Sequence, residues 1–211
     1  MKQNFPDLIP IFPLNGVIYF PKTNLPLNIF ETRYLQLVND CMKTNKLMGM
    51  VQSKKNSNEV YEIGCLGKIN QFEKTEDGRI LIKLTGITRF EILKEVNNNK
   101  LYREFKVKYK KFYQDIENIK LQTLEKKTLD VLLKKIKLFL KNSGFFLNWK
   151  EFSKLEQAQQ INTLAMISPF SDEEKQKLLE TVRITEQTKI LSEIIEFYLH
   201  DKKISNTKTI Q

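Results

Sequence analysis

Two cysteines, one histidine and one tryptophan in 211 residues leave this chain little of the chemistry that metal centres and nucleophilic sites require. Cys41, Cys65 and His200 are too few for a disulfide framework or a Cys/His zinc site. Cys41 falls on the apolar stripe of a predicted helix, and Cys65 stands between Gly64 and Gly67 in a strand pattern. Both are therefore expected as buried structural thiols, a Cys/His nucleophilic pair being the alternative. Neither a metal nor a cofactor is implied. Long apolar runs are also missing: none approaches the roughly 20 residues of a membrane helix, and the opening MKQNFPDLIP has no apolar core of a secretion signal. A cytoplasmic protein with no membrane partner is expected.

Arginine is scarce as well. The net charge is +10, yet of 35 basic side chains thirty are lysine and five arginine. Bidentate recognition of phosphate or guanine favours arginine, and in a chain rich in Asn and Ile a compositional drift accounts for the lysines without any partner. An anionic partner is the competing reading, since residues 1–110 hold 18 basic and 11 acidic side chains against 17 and 14 afterwards.

What is present begins with IPIFPLNGVIYFPKTNLPLNIFETRY at 9–34. Pro10, Pro13, Pro21 and Pro26 lack a backbone donor, so strands between them belong at edges or end early. Asn15-Gly16 between apolar flanks predicts a tight β-hairpin. From Phe30, the apolar positions Tyr34, Leu37, Val38 and Cys41 follow helical spacing, which predicts a helix around Glu31 to Lys43.

Residues 47–110 read as short strands linked by turns, with a second hairpin at Asp77-Gly78. Gly64, Gly67 and Gly86 stand where a closed barrel needs bulges or bends. Lys106, Lys108 and Lys110 alternate with Phe105, Val107 and Tyr109. An edge strand guarded by lysines is the favoured reading of that alternation, and a basic strip for RNA the other. Beyond 115 the period becomes helical. A long helix is predicted over about 117–141, stopped by Asn142-Ser143-Gly144, and a second around Leu155 to Ala165 that ends before Pro169. Two more follow near 172–181 and 184–199, the first opened by a capping box at Ser171 and Glu174. The tail from Asp201 is polar and expected to fray.

These blocks together resemble the N-terminal, substrate-binding domain of Lon protease, in the form found as a stand-alone bacterial protein. The resemblance rests on FPLNGVIYFPKTNLPLNIFETRY (12–34), IGCLGKI (63–69), DGRILIKLTGITRFEI (77–92), Tyr102-Arg103 and SPFSDEEKQKLLE (168–180). It implies an α+β fold: a six-stranded, PUA-like β-barrel-like subdomain over 1–112, an α-helical bundle over 113–200 and a frayed tail over 201–211. Gln187 departs from the family, many members of which carry an arginine there. No G-x-x-x-x-G-K-[ST] phosphate loop occurs, so no ATP hydrolysis is expected, and the chain ends long before a Ser-Lys peptidase domain would begin.

The function this implies is non-enzymatic binding of unfolded or exposed apolar polypeptide, with a separate protease or chaperone as a further partner. Docking into a groove between barrel and helices, or strand addition to a sheet edge, are the two modes. Candidate contacts are Phe20, Leu25, Pro26, Leu27 and Phe30. Core packing is favoured for Leu27 and Phe30, and exposure for Phe20 and Leu25 on their proline-bounded loop. Glu31, Asp77, Glu91, Arg33, Arg79 and Arg89 are read as structural, with ligand contact by Arg33 or Arg89 as the minority view. An RNA-binding barrel is the alternative, decided by whether Lys106, Lys108 and Lys110 converge with Lys68 and Lys83. An enzyme of another type has no motif to support it.

Overall fold

The computed structural model describes residues 5–55, 57–116 and 124–207, with side chains described as far as His200. Two compact units divide it, residues 1–118 and 119–211.

The first unit contains β1 (Leu8–Leu14), β2 (Asn24–Ile29), α1 (Thr32–Met42), β3 (Leu47–Gln52), β4 (Ile63–Lys74), β5 (Ile80–Val96), β6 (Arg103–Lys108) and a 3-10 helix at Lys110–Asp115. Strand order is β2-β5-β4-β3-β1-β6, and a further β5–β6 pairing closes β1, β3, β4, β5 and β6 into a circuit. Closure depends on the length of β5. Its first half, Ile80–Thr85, lies between β2 and β4; its far end, Glu91–Val96, pairs with β6. Inside the circuit, Ile9, Ile11, Val51, Leu66, Phe90, Phe105 and Val107 form one buried cluster. The alternation of buried Phe105 and Val107 with exposed Lys106 and Lys108 follows the pleat.

Asn15-Gly16 does not make a hairpin. Gly16 does take a positive φ of 76°, but β1 gives its edges to two distant strands, β3 in parallel over Ile11–Leu14 and β6 over Leu8–Ile11. Ile18, Tyr19 and Phe20 are then all buried in succession, which a strand with one solvent face cannot do. The chain crosses the barrel instead and meets β5 at Gly86. There the Lys22 N–H donates to the Gly86 carbonyl and the Gly86 N–H to the Thr23 carbonyl, each at 2.9 Å. A Cβ on Gly86 would lie 2.3 Å from the Phe20 carbonyl oxygen, so only glycine permits the crossing. The Asp77-Gly78 hairpin forms as the sequence predicts, with Gly78 at φ 84° and the Thr75 N–H donating to the Arg79 carbonyl at 3.0 Å.

β6 is not an edge strand, because β1 and β5 flank it. Its Lys108 faces Glu91 at 3.3 Å, so that lysine answers a carboxylate on its neighbour.

The second unit holds α2 (Lys126–Asn142), α3 (Trp149–Phe152), α4 (Gln157–Ile167), α5 (Asp172–Glu180) and α6 (Ile184–Thr207). α2 buries Leu129, Leu132, Ile136, Phe139 and Leu140, and Phe139 stacks on Phe170 at 5.4 Å between ring centres, with Tyr198 5.5 Å away. Gly144, at φ 74°, ends the helix, and the Ser171–Glu174 capping box opens α5 with both of its reciprocal bonds. Three expectations change. α2 starts at Lys126, residues 117–123 of the predicted helix lying outside the described residues. The one-turn α3 escapes the periodicity, being too short to show a stripe, and α6 runs to Thr207 where fraying from Asp201 is expected. Buried Gln187 bonds the Asn162 side chain and the Leu178 carbonyl, both at 3.2 Å, a neutral arrangement with no ion pair in these bonds.

Two glycines test this account by urea denaturation. Gly86→Ala should cost about 2–4 kcal/mol, because the new methyl meets immovable backbone. Gly16→Val should cost about 1–3 kcal/mol through its positive φ alone, since nothing lies within 4 Å of an added Cβ there. Equal stability of Gly86→Ala and the parent would refute the close crossing.

Candidate functional site

Past Ile69, β4 parts from β3, whose register ends at Lys68, and a bulge between Ile69 and Gln71 marks the departure. The remaining pieces of β4 and β5, with β2, form a three-stranded wing on the barrel. Cross-strand neighbours share a face, so Leu27, Ile82 and Phe72 form one row and Asn28, Leu81 and Glu73 the next, on the opposite face. A cavity of about 570 Å³ is lined by Pro26, Leu27, Phe72, Leu81, Ile82 and Lys83 among others. Leu81 is 39% exposed, and Leu27 and Phe72 are half-buried, so apolar surface remains open to solvent here.

The candidate contacts distribute unlike the expectation. Phe20 and Leu25 are buried, Phe20 beneath the crossing at Gly86 and Leu25 on the inner face of β2. Phe30 is 67% exposed: Ile29 takes the inward position at the end of β2, and the pleat sends its successor outward. Pro26 is exposed and Leu27 half-buried, and both line the wing cavity. Phe72 and Leu81 were not singled out from the sequence. The signal for Leu81 was a strand alternation that leaves a leucine on the polar face with Lys83, opposite Asn28 and Glu73.

Arg33 lines a second cavity, of about 760 Å³, with Phe12, Glu31, Tyr34, Glu95 and Arg103. Each cation there has its carboxylate. The Arg33 Nε donates to Glu31 at 2.9 Å and its guanidinium lies 4.5 Å above the Tyr34 ring. Arg103 makes two bonds of 2.7 Å to Glu95, which hold the Glu95 carboxyl below its usual range, and a third of 2.9 Å to the Asn58 carbonyl. With these charges neutralised internally, the cavity offers no uncompensated charge to an ionic ligand.

Arg89 is not a ligand contact. Its guanidinium and the Asp115 carboxylate, 7% and 10% exposed, make bonds of 2.9 and 2.8 Å, and Phe112 packs under the guanidinium at 4.4 Å. The pair ties the 3-10 helix to β5. Nor do the lysines converge. Lys83 lies on the half of β5 that pairs with β2 and β4, eleven residues from Lys94, the residue opposite Lys106 on β6, so the registers put Lys83 and Lys106 at different ends of β5. Among the described residues, no group of three His, Cys, Asp or Glu side chains converges as metal ligands would.

Cys41 and Cys65 are buried thiols. Burial pushes Cys41 up to about 12 and Cys65 well above its ordinary value, and burial likewise raises Tyr19, whose buried hydroxyl has no hydrogen-bond partner. None of the three is poised to ionise near neutrality, so none is an activated nucleophile.

Residues 8–196 match the family described as the ATP-dependent protease La (LON) substrate-binding domain. The chain belongs to that family. It is 23% identical over 97% of its length to the Lon protease of Dictyoglomus thermophilum, and 24% identical over 92% to that of Syntrophus aciditrophicus. It spans 26% and 25% of those two proteins, so the greater part of each lies outside the match. Among solved structures, a Lon N-terminal domain protein from Xanthomonas campestris shares the fold at a TM-score of 0.63, with 21% identity over 87% of this chain and 96% of that one. The N-terminal domain of a Mycobacterium avium complex Lon protease does so at 0.61, with 15% identity over 90% and 98%. In this LON domain, then, the signature 12–34 supplies the crossing segment, β2 and the start of α1.

Replacing Asp115 with Ala should cost about 3–5 kcal/mol, since it strands a buried guanidinium, whereas Arg33→Ala should cost no more than about 0.5 kcal/mol. Equal, small effects in chemical denaturation would show that Arg89 is not held as described. The Cys41 thiol ionises at lower pH unfolded than folded. Its contribution is therefore whole below the ordinary thiol value near 9 and is lost as pH rises toward 12. Native protein at pH 8 should leave both thiols unmodified by a thiol reagent, reaction following unfolding only; rapid native labelling would contradict their burial.

Proposed function

We propose that this LON domain is a non-enzymatic module that binds unfolded or exposed apolar polypeptide through the wing of its barrel, in the cytoplasm. The observation that supports this most is the half-buried pair Leu27 and Phe72 flanking Ile82 on one face of the wing, beside a cavity of about 570 Å³, with exposed Leu81 on the other face. Relatives named as proteases contain this domain as a quarter of their length, and the family is described by substrate binding. Delivery of the bound chain to a separate protease or chaperone belongs to the same proposal.

Apolar contact sets the character of the interaction. Binding should depend little on salt, because burying Leu81 and Phe72 is not a Coulombic gain. The test titrates a reduced, carboxymethylated protein that cannot refold into the domain and its Leu81→Ser variant. The variant should bind about fivefold more weakly, as expected for about 1 kcal/mol of lost leucine burial. Affinity unchanged in Leu81→Ser and in Leu27→Ser would remove the wing from the binding surface. A steep fall of log affinity with log salt would replace apolar docking by counterion release.

A further inference from the structure

The hydrogen-bond parity of the wing can be followed strand by strand. Gly86 faces β2, since both its backbone bonds go to Lys22 and Thr23. Residues of an antiparallel strand face alternate neighbours, so Leu84, Ile82 and Ile80 also face β2, while Lys83 and Leu81 face β4. Two independent features agree. Pro26, which has no N–H, stands opposite Lys83, where no bond between β2 and β5 is required, and at the hairpin the Thr75 N–H reaches back to Arg79.

On β4 this parity turns Gln71 and Glu73 toward β5, and Phe72 and Lys74 outward. Among the described residues no strand pairs with that outer side of β4 beyond Lys68. On the other edge of the wing, the outward residues of β2 are Asn24, Pro26 and Asn28, and the central one has no donor to give. The two edges are therefore unequal: one presents an intact pattern of N–H and C=O groups, the other an interrupted one.

Resting on the polypeptide reading above, we propose that the bound chain adds as an extended strand to the outer edge of β4, hydrogen-bonding the backbone of Phe72 and Lys74. Donor and acceptor pairs two residues apart, about 7 Å, fit an extended backbone. Side-chain selection follows from the rows. The residue opposite Phe72 joins the face of Ile82 and Leu27 and is apolar; the residue opposite Lys74, two positions away, meets an ammonium group and is acidic. The segment recognised is a β-forming stretch with an apolar and an acidic residue separated by one.

The test uses the full chain, isotope-labelled, and a blocked heptapeptide, Ser-Val-Thr-Leu-Thr-Glu-Ser. At saturation the amides of Phe72 and Lys74 should exchange with solvent at least about tenfold more slowly. Lys74→Pro, which removes the outward donor, should weaken binding by about tenfold, whereas Lys74→Ala, which keeps it, should stay within about threefold. If Leu27 and Leu81 resonances shift with peptide while the Phe72 and Lys74 amides remain unprotected, or if the two Lys74 variants bind alike, strand addition is wrong and side-chain docking on the wing stands. If neither the peptide nor the carboxymethylated protein perturbs any wing resonance, the polypeptide reading fails and this proposal with it. Should Lys74→Pro not fold, the exchange measurement on the parent decides alone.

Discussion

The approach of the Phe20 carbonyl to Gly86 is the constraint on which the first unit turns. It fixes where the chain leaving β1 crosses the barrel, hands β2 to β5 through the bonds of Lys22 and Thr23, and sets which residues of β5 face which neighbour. Everything on the wing inherits that setting. Had the crossing slipped by one residue along β5, Leu27 would leave the face of Ile82 and Phe72, and Pro26 would stand opposite Ile82 or Leu84, where its missing N–H leaves a β2–β5 bond unmade.

A second clamp works at the far end of the same unit. Arg89 and Asp115 are nearly solvent-free, and the carboxylate also takes the Arg89 backbone N–H at 2.9 Å. A buried pair of this kind contributes little net stability over an apolar substitute but specifies one geometry, because each charge is costly without the other. Its placement, just before the chain leaves the unit, gives the 3-10 helix a single docking position. In the polar cavity around Arg33 and Arg103 the charges are likewise paired: Arg33 with Glu31 within the start of α1 and Arg103 with Glu95 between β6 and β5, while a further Arg103 bond holds the Asn58 carbonyl against β6.

Much of the fold was legible in the sequence for local reasons. The Ser171 capping box, the stop at Gly144, the Asp77-Gly78 hairpin and the helical stripes of α1, α2 and α4 are determined by residues within a turn or two of one another. What misled was equally physical. Asn15-Gly16 meets the requirement for a tight turn, but long-range pairing of β1 with β3 and β6 overrides it, and that pairing has no local signature. Exposure along the signature came out inverted at Phe20 and Phe30. A proline-bounded segment reads as a surface loop, while its burial comes from a glycine 66 positions further on that lets the backbone through. The exposed edge position of Pro26 is legible because a proline without a donor marks it; the exposure of Leu81 and the half-burial of Phe72 are not, since they follow from β4 leaving β3, a matter of register.

Pro26 has a consequence for assembly. A sheet with two competent edges can grow without limit, each added copy exposing a fresh edge for the next. Here one end of the wing is terminated. Two copies joined edge to edge through β4 would place β2 at both outer ends, each interrupted at its middle position, and growth would halt at a pair. An open β4 edge is thereby kept from propagating into a fibre.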